Sequence, residues 1–398
     1  MLIIKAHKIQ LRIPTEIESI FISWSGAARW SYNFGLERKK ESFEQLGKSI
    51  GSYSLMKEVV LLKKTDKYAW LNDIPSSVPR TALMQLNTAY ANFFRRVKRG
   101  NAMKGFPRFR SRKHNRICFH LEPNAITVNC DKVRIPKIGW LKMHQSIRFD
   151  GRLVGTICIS YTAGRWYASF SIETEVADPI EKQEREAVGV DVGIKHLAVL
   201  SDGKIFDNPR SFYRMEHLLS SAQHQLARKK NGSGRWRRGE LRVQRIHKRI
   251  ADMRANATNR VSAYVASNYD GVAIEDLNVM GMVQNHHLAK SVLDANMAEL
   301  HRQLTYKMAW SGGEVRQVGR FFPSSRLCGA CGLINSKLTL ADREWVCECG
   351  ARHNRDLNAA NNLAIKCFGP TVSGPCAWRV KCSETPCEAQ SERFFTLV

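Results

Sequence analysis

The chain has 398 residues, a formal net charge of +26 and 43% hydrophobic residues. That length exceeds what one hydrophobic core ordinarily serves, and the apolar fraction excludes wholesale disorder. So large an excess of Lys and Arg points to a polyanionic partner, nucleic acid first, bound in a salt-dependent way.

The opening MLIIKAHKIQLRIP has charges spaced through it, where a secretory signal has an unbroken apolar core. No apolar run is long enough to span a bilayer, so a cytoplasmic protein without a membrane partner is expected. Residues 16–46 carry Ile17, Ile20, Phe21, Trp24 and Ala28 on one face and predict an amphipathic helix. A second helix is expected from near Pro79, bearing Leu83, Leu86, Tyr90, Phe93, Phe94 and Val97 and closing on Arg95, Arg96, Lys98, Arg99 and Gly100. Its apolar face is core. Its basic end runs into GFPRFRSRKHNR, where Phe106 and Phe109 interleave with Arg108, Arg110, Arg112 and Lys113. Aromatic faces stack bases while guanidinium groups hold phosphates. Arg95, Arg96, Arg108, Arg110, Arg112 and Lys113 are therefore candidate nucleic-acid contacts, against the blander alternative of a solvated loop.

From about residue 117 to 174 the pattern turns to period two, in AITVNCDKVRIP, LVGTICISYT and RWYASFSIETE. This predicts an antiparallel β unit curling into a small barrel, with Cys118, Cys130 and Cys158 as buried thiols. The charged, Pro-containing ADPIEKQERE is the expected domain boundary. AVGVDVGIKHLAVLSDGKIF then predicts three short strands, with Ser201-Asp202-Gly203 as a hairpin turn. Residues 211–264 predict two basic antiparallel helices bent at KKNGSGRWRRGE. Lys229, Lys230, Arg237 and Arg238 crowd the bend with one sign of charge, as a polyanion track does. GVAIEDL (271–277) predicts a buried strand, residues 291–310 a helix, EVRQVG a strand and RDLNAANNLAIK a short helix. The segment 367–398 lacks periodicity and is expected to be disordered; it holds Cys376, Cys382 and Cys387, with Cys367 at its start.

Three carboxylates stand out. Asp191 interrupts an apolar strand between Val188, Val190 and Val192, where an ionised side chain is costly without a cation or hydrogen bonds. Glu275 ends the strand VAIED, and Asp356 opens a helix whose dipole favours its ionised form. Strand ends and a helix N-terminus can bring such groups together. Together they would bind Mg²⁺ or Mn²⁺, and two ions ~3.5–4 Å apart would activate water and stabilise the leaving oxygen of a phosphodiester. Taken singly, each acid is as well explained by a local role, and Asp356 by plain helix capping.

The second cluster is Cys328, Cys331, Cys347 and Cys349, two pairs at the spacing of a structural Zn²⁺ site. The second pair has one intervening residue where knuckles have two, which leaves His353 as a candidate fourth ligand.

The segments GVDVGIKHLAVLSDG, AIEDLNV, FFPSSRLCGACG and REWVCECGARHNRDLNAANN resemble, in order, the signature blocks of the TnpB family, relatives of type V CRISPR effectors. The resemblance spans nearly the whole chain before residue 367. It implies an α+β multidomain fold: a β-barrel wedge domain over residues 1–180 with an inserted helical recognition lobe at about 16–105. An α/β ribonuclease H-like (RuvC) domain over 181–366 would follow, with the basic hairpin at about 211–264, a zinc ribbon at about 324–352 and the tail beyond 367. It also implies Asp191, Glu275 and Asp356 as the Mg²⁺-binding catalytic acids of an RNA-guided DNA endonuclease, with a guide RNA from the transposon end and target DNA as partners. The family more often has Asp where this chain has Asn354. A strand-joining DDE-type transposase and an RNA-guided repressor without cleavage are the rival readings.

Overall fold

The computed structural model of the chain describes residues 2–100, 105–113, 115–175, 187–339 and 342–369. The expected boundary at 177–186 and the tail with Cys376, Cys382 and Cys387 lie outside the described residues. The chain divides into two compact units, Met1–Val176 and Ala177–Val398.

The first unit runs from strand β1 (Leu2–Arg12) through helices α1 (Thr15–Leu46), α2 (Ser52–Leu62) and α3 (Ser77–Lys98) to six strands: β2 (Cys118–Leu121), β3 (Thr127–Asn129), β4 (Lys132–Ile135), β5 (Gly139–Met143), β6 (Arg152–Thr162) and β7 (Arg165–Glu175). The two long helices fall where their apolar spacing placed them. The intervening α2 and a 3₁₀ turn at Asp66–Asp73 were not anticipated; their Leu55, Val59 and Leu71 form a small core of their own with Leu83. Gly35 lets α1 and α3 approach closely, since a Cβ there would lie 2.6 Å from the Leu83 methyl. Phe21 and Trp24 of α1 meet Phe119 and Trp166 of the sheet edge-on, at centroid distances of 5.1–5.4 Å.

The seven strands form one sheet in the order β2-β6-β7-β1-β5-β4-β3. β1 pairs antiparallel with β7 from Leu2↔Glu175 to Gln10↔Tyr167, so the first and last strands of the unit lie side by side. The expected barrel is not formed: β2 and β3 are the two edges and do not pair. One edge is covered by a helix. Thr81 of α3 donates to the His120 carbonyl of β2 at 3.0 Å, satisfying backbone that closure would otherwise have paired. Cys130 also departs from expectation, standing exposed in a turn with φ 47°.

The second unit begins with β8 (Ala187–Asp191), β9 (His196–Leu200) and β10 (Ile205–Asp207), then α4 (Ser211–Ala227), α5 (Gly234–Asn268) and β11 (Gly271–Glu275). It continues with α6 (Val279–Gln284), α7 (His286–Ala295), α8 (Met297–Ser311), β12 (Glu314–Val318), the hairpin β13 (Glu344–Val346) and β14 (Arg352–Asn354), and α9 (Arg355–Phe368). The single helix expected over 291–310 is broken at Asn296, which takes a left-handed conformation.

The five-stranded sheet has the order β10-β9-β8-β11-β12, with β8, β11 and β12 parallel and β9 and β10 antiparallel. Side chains alternate across it. Val188, Val190, Val272 and Ile274 pack with Leu300 and Leu304 of α8, while Ala273 and Val318 pack with Leu363 and Cys367 of α9. The basic pair α4 and α5 packs through Met215, Leu219, Ile246 and Ile250. Its start is pinned by Asp294, which accepts from the Phe212 N–H at 2.9 Å and pairs with Arg254 at 2.8 Å. Among the described residues no helix is long and apolar enough to cross a membrane.

Candidate active site

The parallel register pairs Val190 with Ile274, so Asp191 and Glu275 are the next residues on adjacent strands. Both lie on the face opposite Val190 and Ile274, the face that α9 covers. Gly189 makes the approach possible: a Cβ there would sit 1.8 Å from the Ala360 carbonyl oxygen. Asp356 lies one helical turn before Ala360 on the same side of α9. The three acids thus come to one end of the sheet from two strands and a helix.

The electrostatics of Asp191 follow from this placement. Burial, then the charges of Glu275 and Asp356, push the Asp191 carboxyl up to about 8, against relief from Arg355 and Arg343. Each neighbour also has a local partner. Glu275 accepts a hydrogen bond from the buried Ser324 hydroxyl, and Asp356 accepts from Arg343 at 3.2 Å. The plain-cap alternative for Asp356 is not what is seen. Asn354 is the N-cap, its Oδ1 accepting from the Leu357 N–H at 3.2 Å. Asn and Asp cap equally well, which explains why Asn suffices at this position and leaves Asp356 to face the strands. The cluster is a set of hard oxygen donors that resist sharing one end of a sheet without a cation, as Mg²⁺ or Mn²⁺ sites do. The three carboxylates do not close to within 4.8 Å of one another as the cysteines do.

The ribbon precedes α9. The Sγ atoms of Cys328, Cys331, Cys347 and Cys349 all lie within 4.8 Å of one another, with Cys328–Cys349 at 3.8 Å and Cys331–Cys347 at 3.4 Å. Zinc–thiolate bonds of ~2.3 Å in a tetrahedron separate sulfurs by about 3.8 Å, so the four thiols fit Zn²⁺. The shortened Cys347–Cys349 spacing therefore does not exclude either thiol. His353 is not one of that set. Its ring packs on Trp345 and its Nε2 lies 3.0 Å from Cys328 Sγ, the position of a donor to a metal-bound thiolate. The ribbon is tied to α9 by two buried amides. Asn358 accepts from the Gly329 N–H at 3.0 Å and donates to the Leu327 carbonyl at 2.7 Å; Asn362 donates to Ser324 and Leu327.

Sequence reasoning passed over Gly189, Ser324, Arg343 and this Asn pair. The pair had a signal, since Asn358 and Asn362 stand four apart on one helix face.

The basic candidates divide by burial. Arg108, Arg112 and Lys113 are exposed, beside exposed Phe106 and Phe109 over which Lys40 is placed. Arg95 and Arg96 are half-buried and bonded to Asn92. Arg110 turns inward. Its guanidinium stacks 3.8 Å from the Tyr32 ring centroid and gives both terminal nitrogens to Gln85, while its backbone exchanges hydrogen bonds with Asn33. At the turn between α4 and α5, Lys230, Arg237 and Arg238 are exposed and Lys229 half-buried.

Two acids at strand ends, a four-thiol ribbon and a third acid at the start of the helix after it define a class of transposon-associated proteins, and known sequences agree. Residues 169–286 match the family described as "Probable transposase", residues 298–363 the "Cas12f1-like, TNB domain", and residues 1–48 a "Helix-turn-helix domain", here a strand and one long helix. A relative from Streptomyces pristinaespiralis named "Putative RNA-guided DNA endonuclease" is 33% identical over 91% of this chain and 89% of its own. Another from Escherichia coli (strain K12), "Putative RNA-guided DNA endonuclease InsQ", is 31% identical over 90% and 91%. The chain belongs to the TnpB family of transposon-encoded proteins. A solved structure of the mini-RNA-guided endonuclease CRISPR-Cas_phi3 matches 94% of both chains at 10% identity and a TM-score of 0.47.

Proposed function

We propose that the chain is an RNA-guided DNA endonuclease of a transposable element, and that Asp191, Glu275 and Asp356 are its catalytic acids. The observation that carries this reading is the side-by-side register of Asp191 and Glu275 at parallel strand ends, with Asp356 close enough to raise the Asp191 carboxyl. The names borne by relatives matching some nine-tenths of the chain support the activity. Bound Mg²⁺ or Mn²⁺ would supply the activated water and stabilise the leaving oxygen. The chain's own part is to hold three carboxylates on rigid elements. Asn354 satisfies the helix end in place of Asp356, and Ser324 orients Glu275.

On this reading the first unit is the wedge and recognition portion, residues 1–180, and the second the RuvC-like nuclease, residues 181–366. The zinc-filled ribbon would brace α9 through Asn358 and Asn362. Exposed Arg108, Arg112, Lys113, Lys230, Arg237 and Arg238 would hold guide RNA and the RNA–DNA heteroduplex by backbone and shape, in the cytoplasm.

The test is to sequence RNA that co-purifies with the protein and to assay cleavage of matching DNA with Mg²⁺. A discrete RNA species and hydrolysed ends that vanish in Asp191→Ala, with DNA binding retained, are expected. Joined products without RNA would favour a strand-transferring transposase, and cleavage undiminished in Asp191→Ala would remove these acids from the reaction.

A further inference from the structure

Cys118 on β2 and Cys158 on β6 form a second thiol cluster, outside the ribbon. In the antiparallel register Cys118 lies opposite Ser160 and Cys158 opposite His120, so the two cysteines are diagonal neighbours. Phe119, Leu121, Ile157 and Ile159, the residues alternating with them, are buried in the core. Both thiols therefore stand on the other face of the sheet, and both are partly exposed. The Cys158 S–H donates to the Cys118 sulfur. That bond lowers the Cys118 thiol from its ordinary value; burial opposes the shift, and the Arg110 and Arg116 guanidinium groups add to it. The same bond, then burial, holds Cys158 as a thiol. No third ligand joins the pair within metal-binding distance among the described residues.

A cysteine beside cations and within reach of solvent is the reactive kind, and a second thiol bonded to it is placed to resolve its oxidation product. We propose that Cys118 and Cys158 are a reversible modification site, at which hydrogen peroxide oxidises Cys118 and Cys158 then closes a disulfide between β2 and β6. The Cys118 thiolate attacks peroxide, breaking the O–O bond; it becomes a sulfenic acid, and the released hydroxide takes up the proton that the thiol gave. The Cys158 sulfur then attacks the Cys118 sulfur. The S–S bond forms, the S–O bond breaks, and the hydroxyl leaves as water with the Cys158 proton. Two thiols have lost two electrons and one peroxide has become two waters. Diagonal neighbours in a sheet are ~7–8 Å apart, with Cβ atoms somewhat closer, against ~3.5–4.5 Å between the Cβ atoms of a disulfide. β2 must shift to close the bridge. It has four residues and only β6 beside it in the sheet, and the β6–β7 ladder is irregular between Val154 and Cys158. A bridge closed against such resistance is readily reduced, as a switch requires. The Cys118 charge also acts on Arg110, so the bridge removes an anion from beside the basic segment 105–113.

The test treats zinc-loaded, full-length protein with hydrogen peroxide, blocks the remaining thiols with iodoacetamide and maps the peptides by mass spectrometry, with and without dithiothreitol. A peptide linked through Cys118 and Cys158 is expected, and it should be lost on reduction. In Cys158→Ser, Cys118 should stop at the sulfenic acid and be captured by dimedone. In Cys118→Ser the link should be absent and Cys158 should stay a thiol. The exposed Cys130 is the internal reference and should be oxidised later than Cys118 in the wild type. Oxidation of Cys130 while Cys118 remains a thiol overturns the proposal, as does a Cys118 linked to another cysteine. So does dimedone capture of Cys118 that is as complete in the wild type as in Cys158→Ser, since Cys158 would then resolve nothing. Each variant exchanges a partly exposed thiol for a hydroxyl of similar shape, and the linked peptide is read in the wild type alone.

Discussion

Arg343 and Asp356 form an ion pair, Nη1 to Oδ1 at 3.2 Å, that joins the cysteine ribbon to the first turn of α9. The Asp356 side chain is 17% exposed and that of Arg343 46%, so the carboxylate is enclosed while the guanidinium stays in touch with water. The pair sets a positive charge against one of three acids, where it would compete with a divalent cation held by them on the proposed reading. Arg343→Ala should therefore lower the Mg²⁺ concentration for half-maximal cleavage by up to about fivefold, matching the ~0.2–1 kcal/mol of a partly exposed pair. Cleavage rates across a Mg²⁺ titration read the shift, and an unmoved midpoint would take Arg343 out of the site's electrostatics.

Asp191 makes stability depend on pH in a defined direction. Burial and its acidic neighbours raise it from an ordinary 3.8 to about 8. Between those values the folded chain keeps a proton that the unfolded chain has released, so its contribution to stability falls as pH rises from about 4 to about 8 and is level above. In magnesium-free buffer Asp191→Asn should melt higher than wild type, by a margin that widens over that window and then holds. Saturating Mg²⁺ should narrow the margin. Melting curves at several pH values check this, and a margin independent of pH would contradict the raised carboxyl.

His353 should act on zinc from outside the coordination sphere. With its Nε2 3.0 Å from Cys328 Sγ, it can donate to the thiolate. His353→Ala should weaken zinc by about 10–100-fold without removing a ligand, as loss of an outer partner does. Cys328→Ser should lose the metal outright. Chelator competition measures both, and the Co²⁺-substituted protein should keep the charge-transfer intensity of four thiolates in His353→Ala.

The two arginines of the segment RFR should behave oppositely. Arg108 is exposed, and Arg108→Ala should leave the melting temperature unchanged while reducing the salt slope of nucleic-acid binding by about one. Arg110 is held against Tyr32 and Gln85, and Arg110→Ala should cost about 1 kcal/mol of stability or more by leaving the half-buried Gln85 amide without this partner. Denaturation and binding isotherms on the two variants decide it. Equal loss of binding with unchanged stability would make Arg110 a contact residue as well.

Much of this architecture was legible because local patterns match local structure. The apolar strands ending in Asp191 and Glu275, the helix with Leu83 and Leu86, and the thiol pairs each announce themselves within a dozen residues. What depends on distant partners was not. Nothing in the alternation of LIIKAHKIQL names β7 as the neighbour of β1, because a strand presents the same face to any partner. The barrel failed for the same reason: a period-two pattern gives the face of a strand, and whether the sheet closes depends on a helix reaching its edge, as Thr81 does. Arg110 looked like its neighbours Arg108 and Arg112, since inward and outward arginines differ only in what lies across from them. Within the candidate site the acids were readable by type and context, while Arg343 and Gly189 gain meaning only once α9 is set against β8.

The bare backbone contact between Gly189 and Ala360 leaves no tolerance for even a methyl group. A single Gly189→Ala change would lever α9 off the sheet and draw Asp356 away from its two companions, with every acid and every thiol still encoded. A lineage could thus abandon cutting while keeping its grip on nucleic acid, and a survey that checked only for intact acids would count the outcome as an active enzyme.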